Sequence, residues 1–127
     1  MPKMDDILPI LRNKYKQMDY LMAYTKEMEK AVLINDADGL GTVLNMRQET
    51  MERINLLNAD VSAVLAGMDQ KEQDTARQLL NTEGEPPAFD SQLESDIYNT
   101  NRMTLGLLQK IVDLDKDINS KVNKEGG

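Results

Sequence analysis

Apolar residues recur every three or four positions over three long stretches of this 127-residue chain. In the first stretch, four positions on one face are spaced by seven, as in helices that pack side by side; they are Leu11, Met18, Thr25 and Val32. Only five aromatic residues occur, four Tyr and one Phe. The core must therefore consist of Leu, Ile, Val and Met, which suits packed amphipathic helices better than a β-sandwich.

Turn signals mark where the first two helices begin and end. A first helix is predicted over about residues 6–34 and a second over about residues 37–66. The turn between them contains Asp36 and Asp38, either of which can accept the first free N–H groups of the second helix. Because so short a connection places consecutive helices side by side, the two helices are predicted to be antiparallel neighbours.

The second half of the chain contains a short helix, a loop and another long helix. A capping-box pattern that begins at Asp69 predicts the short helix. Residues 82–89, which contain two consecutive prolines, carry the strongest loop signal. The third long helix is predicted to begin at Asp90 or Ser91, and residues 124–127 are predicted to fray.

These elements together predict an all-α fold in a single domain of residues 1–127. The architecture is an elongated antiparallel bundle of three long helices, with a short extra helix before the third. A helix of about 30 residues is about 45 Å long at 1.5 Å per residue, which exceeds the diameter of a compact ball of this size. The molecule is therefore predicted to be a rod.

The residue types that are missing exclude most chemistry. The chain has no His and no Cys, so nucleophilic catalysis by Cys–His or Ser–His pairs is excluded, as are bundle di-iron sites. Two acidic strings, at 36–39 and 113–117, begin like calcium loops but carry Arg47 and Lys124 at the twelfth position, where Glu is needed. The chain is predicted not to be an enzyme and to bind no cofactor or metal.

Charge and hydropathy restrict the partners and the compartment. The net charge of −7 disfavours nucleic acid and anionic membrane surfaces as partners. The longest apolar run, residues 31–34, is far shorter than the roughly 20 residues of a membrane span. The first residues lack the apolar core and cleavage site of a secretory signal, and the absence of Cys agrees with a reducing compartment. The chain is therefore expected to be soluble.

The third long helix has more apolar surface than it needs to pack against one neighbouring helix. Tyr98, Leu105 and Val112 are spaced by seven and lie away from the main apolar stripe. Such a second face either packs against another helix of the bundle or binds a partner. The candidate partner-binding residues are Tyr98, Leu105, Leu108, Ile111, Val112, Leu114, Ile118 and Val122.

Two further features leave alternatives open. The nine Met residues either fill the core or repack around different ligands. Arg47 falls inside the apolar stripe of the second helix, where its long side chain either reaches the edge of the stripe or pairs with a carboxylate such as Glu27 or Glu29 across the seam. A register-setting or partly exposed charge is the preferred interpretation.

Three segments, in this order, resemble the FlgN-type flagellar export chaperones, and the resemblance extends over about residues 7–118. Residues 31–40 combine apolar residues, a short acidic turn and a Leu. Residues 43–49, followed by Ile54 and Leu57, resemble the second helix of that family, and residues 99–108 resemble its Asn-containing third helix. Gly106 departs from the pattern, because Gly inside a helix costs about 1 kcal/mol relative to Ala.

The resemblance implies a cytoplasmic chaperone that binds the C-terminal segments of flagellar hook–filament junction proteins, the hook-associated proteins. Such a chaperone prevents premature assembly and delivers its cargo to the flagellar type III export apparatus, without a nucleotide, as a monomer or weak homodimer. Two other functions remain open. One is a structural coiled-coil or adaptor protein that homo-oligomerises through its apolar stripes, and the other is a regulatory bundle that binds a small ligand in a Met-lined cavity.

Overall fold

The computed structural model describes the backbone of residues 2–126 and the side chains of residues 2–122. A short 3-10 helix, Met4–Asp6, precedes four α-helices: α1 (Ile7–Leu33), α2 (Ala37–Gly67), α3 (Gln70–Leu80) and α4 (Gln92–Gly126). The described residues contain no strand, so the predicted all-α class is confirmed. The predicted frayed tail, residues 124–127, lies outside the residues whose side chains are described.

The turn between α1 and α2 is built by local hydrogen bonds. Asn35 adopts a φ of 56°, a left-handed conformation that Asn tolerates better than most residues. The N–H groups of Asn35 and Asp36 then donate back to the carbonyls of Val32 and Ala31, which is the Schellman arrangement that ends many helices. The Asp36 carboxylate accepts from the Gly39 N–H at 2.9 Å and caps α2, as predicted.

The beginning of α3 differs in one respect from the prediction. Asp69 caps α3 by accepting from the Glu72 N–H at 2.8 Å. The Glu72 side chain does not complete a capping box, because it accepts a hydrogen bond from the Met4 N–H at 2.8 Å. This long-range bond ties the N-terminal 3-10 helix to α3. At α4, the Ser91 hydroxyl accepts from the Glu94 N–H at 3.2 Å.

Helix α1 lies between α2 and α4 and contacts both along its length. Helices α1 and α2 run in opposite directions. Gln17, early in α1, accepts a hydrogen bond from Arg53 of α2, whereas Met28, later in α1, accepts one from Arg47, which precedes Arg53. Helices α1 and α4 run in the same direction, and the Glu29 carboxylate pairs with Lys121 at 3.1 Å. The backbones of α2 and α4 make little direct contact with each other.

The buried apolar residues form two clusters that are stacked along the helices. The base cluster joins the 3-10 helix to all four helices through Met4, Ile7, Leu8, Leu11, Leu65, Met68, Ala76, Leu79, Ile97 and Tyr98. The middle cluster consists of Met18, Leu21, Ile54 and Ile111. Residues 12–17 of α1 separate the two clusters, and this stretch contains the site described next.

Candidate functional site: a groove between α2 and α4

The positions of the long helices that face the interior of the bundle, called inward positions below, recur with a regular spacing. On α1 they recur at alternating steps of four and three residues, at Ile7, Leu11, Lys14, Met18, Leu21, Thr25, Met28 and Val32. The same alternation runs from Leu40 to Val64 on α2 and from Ile97 to Val122 on α4. This is the a/d spacing of helices packed by knobs into holes, so each of these positions faces a neighbouring helix.

Most polar residues at inward positions are satisfied within the chain. Thr25, Thr50 and Thr104 are buried, and each hydroxyl donates to the carbonyl four residues earlier on its own helix, at 2.7, 2.9 and 3.0 Å. The Asn101 amide donates to the Leu80 carbonyl at the end of α3, at 3.1 Å. These groups therefore need nothing from outside the chain.

Arg47 and Asp115 are also paired, and their pairing corrects one prediction. The Arg47 guanidinium donates to both oxygens of the Asp115 carboxylate, at 3.2 and 2.9 Å, and to the Met28 sulfur at 3.1 Å. The partner is therefore on α4 and is neither Glu27 nor Glu29. The Arg47 side chain is 13% exposed and of intermediate burial, so it is a partly exposed charge that also has a carboxylate partner. The ion pair joins the two helices whose backbones stay apart.

Lys14 differs from Arg47 and Asp115, which form an ion pair. It is half-buried on α1, and within residues 2–122 no carboxylate lies within ion-pair distance of its ammonium. Burial lowers the pKa of Lys14 below its ordinary value of 10.5, since the charged form loses water. A charge at an inward position without a partner marks a place where the packing of the three helices is incomplete.

A groove of about 310 Å³ opens at the level of Lys14, between α2 and α4 and above α1. Its apolar lining comes from all three long helices and consists of Met18, Leu21, Met51, Ile54, Leu105 and Leu108. Its polar lining consists of Lys14, Asn55, Asn58 and Thr104. Leu108 occupies an inward position but remains 39% exposed at the groove. The groove is thus a section of the seam that the chain leaves open.

The structure distributes the predicted partner-binding residues over several places. Leu105 and Leu108 line the groove, and Val112 is exposed one turn further along α4. Leu114 is half-buried. Val122 lines a separate hollow of about 390 Å³ beside the turn between α1 and α2.

Three of these residues belong to the core, and for them the prediction of a partner surface is corrected. Tyr98 is only 3% exposed because it belongs to the base cluster, and Phe89, from the loop before α4, also packs on its ring with a centroid distance of 5.4 Å. Ile111 is part of the middle cluster and Ile118 is 3% exposed. Since their own chain covers these side chains, the accessible residues of the predicted surface at or next to the groove are Leu105, Leu108 and Val112.

The sequence interpretation missed Lys14 because it selected residues by hydropathy. A signal was nevertheless present, since Lys14 fills the step between Leu11 and Met18 in the alternation of four and three. A Lys at such a position lowers stability and often determines which partner is accepted.

The chain matches no protein-family model, no curated protein and no solved structure. Membership of the FlgN-type family therefore stays a prediction based on the resemblance over about residues 7–118. Within the described residues, no helix is long and apolar enough to span a membrane.

Proposed function

We propose that this chain is a cytoplasmic export chaperone similar to the FlgN type, built as an antiparallel bundle of three long helices. Its cargo is the C-terminal amphipathic segment of flagellar hook–filament junction proteins. The observation that carries the proposal is the open groove between α2 and α4, with Leu108 exposed at an inward position. A groove with an apolar floor between two helices is where an amphipathic ligand helix can lay its apolar face.

The composition of the groove supports a transient complex. Two of its apolar side chains are Met18 and Met51, which are flexible and can adjust to more than one ligand. A cargo segment that folds on binding loses conformational entropy, and this limits its affinity. Limited affinity suits a cargo that must be released at the export apparatus.

The test is a calorimetric titration of the full chain with the C-terminal segments of the host's hook–filament junction proteins. We expect one-to-one binding at micromolar concentration or tighter, with a negative heat-capacity change from apolar burial. Absence of binding by every segment, with circular dichroism showing a folded protein, would overturn the proposal.

A matched pair of variants on α4 locates the site. Leu108→Asp places a carboxylate in the groove, and we expect affinity to fall by at least about tenfold. Met103→Asp introduces the same charge at a residue that is 52% exposed and does not line the groove, so its affinity should stay within about twofold. Equal losses in both variants would place the cargo elsewhere.

The homo-oligomeric adaptor is the alternative, and it makes a different prediction for the same groove. A second copy of the chain would occupy it, so mass in solution would rise with protein concentration and Leu108→Asp would abolish that rise. Sedimentation at low and high concentration separates this function from that of a monomeric or weakly dimeric chaperone.

A further inference from the structure

Lys14 is the only charged residue that lines the groove within the described part of the chain. The other polar lining residues, Asn55, Asn58 and Thr104, are neutral. The groove therefore presents a single positive charge among apolar and neutral polar side chains, and within residues 2–122 this charge has no ion-pair partner.

The charge around Lys14 differs from that of the chain as a whole. The whole chain carries a net charge of −7, whereas residues 1–35, which include the floor of the groove, carry six basic and five acidic side chains. An acidic ligand is therefore repelled by much of the surface and least so at α1.

The free energy of desolvating the Lys14 ammonium depends on the ligand that covers the groove. A purely apolar ligand would remove the remaining water from the ammonium and leave an unpaired buried charge, which is costly. A ligand carboxylate would replace that water with a charge-assisted hydrogen bond, which is stronger than a neutral one. The groove thus disfavours ligands whose buried face is purely apolar and favours ligands that place a carboxylate beside Lys14.

We infer that the groove selects amphipathic helical segments that carry an Asp or Glu among their apolar residues, with the carboxylate seated against the Lys14 ammonium. This inference rests on the proposed function, because it takes the groove to be the cargo site. It adds a specificity residue to that site and a chemical requirement on the cargo.

The spacing along α1 indicates where the carboxylate lies in the ligand. Met18 and Leu21 follow Lys14 by four and seven residues on the floor of the groove. Seven residues of helix are about 10 Å long, which is about two turns. The ligand carboxylate should therefore lie at one end of a two-turn apolar stretch.

The experiment is a double-mutant cycle measured by calorimetric titration of the full chain. The cargo probes are the C-terminal segments of the junction proteins, with each Asp and Glu replaced in turn by Asn or Gln. One of these replacements should weaken binding to the wild type by about tenfold or more, as expected for loss of a charge-assisted hydrogen bond. The same replacement should change binding to Lys14→Met by less than about twofold.

Two further variants separate a local contact from general electrostatics. Lys16→Met removes the same charge from an exposed position of the same helix, so it should keep the full preference for the acidic segment. Lys14→Arg keeps the positive charge in the groove, and it should retain most of the preference. Circular dichroism of each variant checks that the fold is kept.

A second probe distinguishes failure of this inference from failure of the proposed function. It is a pair of synthetic Leu-rich amphipathic helices that differ only in one Glu or Gln at the end of a two-turn apolar stretch. Suppose that the junction segments do not bind, that the Glu peptide binds the wild type about tenfold tighter than the Gln peptide, and that Lys14→Met removes this difference. The inference then stands and the proposed function fails.

The opposite result overturns the inference alone. If the junction segments bind the wild type and Lys14→Met equally well, the proposed function stands and the carboxylate requirement is wrong. If neither the junction segments nor the synthetic pair bind the wild type, both are wrong.

Discussion

Breaking the ion pair between Arg47 and Asp115 should destabilise the protein, and the loss should depend on which partner is removed. Arg47 is 13% exposed in its side chain and Asp115 is 34% exposed. Replacing Asp115 with Leu leaves a guanidinium almost buried without its partner. Replacing Arg47 with Met leaves a carboxylate that can still reach water. The Asp115→Leu variant should therefore be the less stable of the two.

The magnitude follows from the burial. Removing one partner of a fully buried pair costs about 3–5 kcal/mol, whereas exposed pairs contribute about 1 kcal/mol or less. For this partly exposed pair we expect a loss of about 2 kcal/mol for Asp115→Leu and about 1 kcal/mol for Arg47→Met. At an unfolding entropy of about 2.1 cal/mol/K per residue, 2 kcal/mol lowers the Tm of a chain of 127 residues by about 7 °C.

The double variant tests the reasoning more sharply than either single one. With both charges gone, apolar side chains fill the space, and stability should return to within about 1 kcal/mol of the wild type. Urea denaturation followed by far-ultraviolet circular dichroism gives the four free energies of unfolding, provided that the slope against urea concentration is unchanged. The reasoning is refuted if the two single losses simply add in the double variant, since the residues would then be uncoupled.

Three further changes have defined outcomes. Gly106→Ala should raise the free energy of unfolding by about 1 kcal/mol in thermal melts, because a Cβ there meets nothing within 4 Å; a loss would mean that α4 needs the glycine. Asp69→Ala should lower it by about 1 kcal/mol through loss of the α3 cap, whereas Asp74→Ala, inside α3, should cost less. Lys14→Met should be more stable than the wild type without cargo. Because burial lowers the pKa of Lys14, its folded form releases the proton before its unfolded form does, so wild-type stability should rise relative to Lys14→Met as pH increases towards 10.5. Parallel urea titrations at several alkaline pH values measure this difference, and a constant offset would contradict it.

The local features of the fold could be predicted from the sequence because their causes are local. The bounds of α1 and α2 lie within one residue of those predicted, and the cap at Asp36 lies where the turn residues place it. Apolar periodicity and capping are properties of neighbouring residues, and one sequence shows them directly.

The contacts that could not be predicted depend on how separate elements pack against each other. Arg47 pairs with a carboxylate 68 residues away, and this depends on the relative register of α2 and α4, which periodicity does not determine. The apolar face that contains Tyr98 was predicted either to pack in the core or to bind a partner, and periodicity does not show that Tyr98 is buried in the base cluster and beside Phe89. Lys14, which lines the groove, is recognised as an inward residue only when the alternation of four and three residues is extended to polar positions.

The division of the core into two clusters also has a dynamic consequence. The base cluster combines residues from the 3-10 helix and all four helices, so opening it requires most of the chain to come apart. The middle cluster has only four buried members and borders the groove. Regions with few buried contacts open at a lower free energy than the whole protein unfolds. The amide protons of α1 should therefore exchange with solvent in two groups, slowly around Ile7 to Leu11 and faster beyond Met18. Such a molecule can open around its groove while the base keeps the helices assembled.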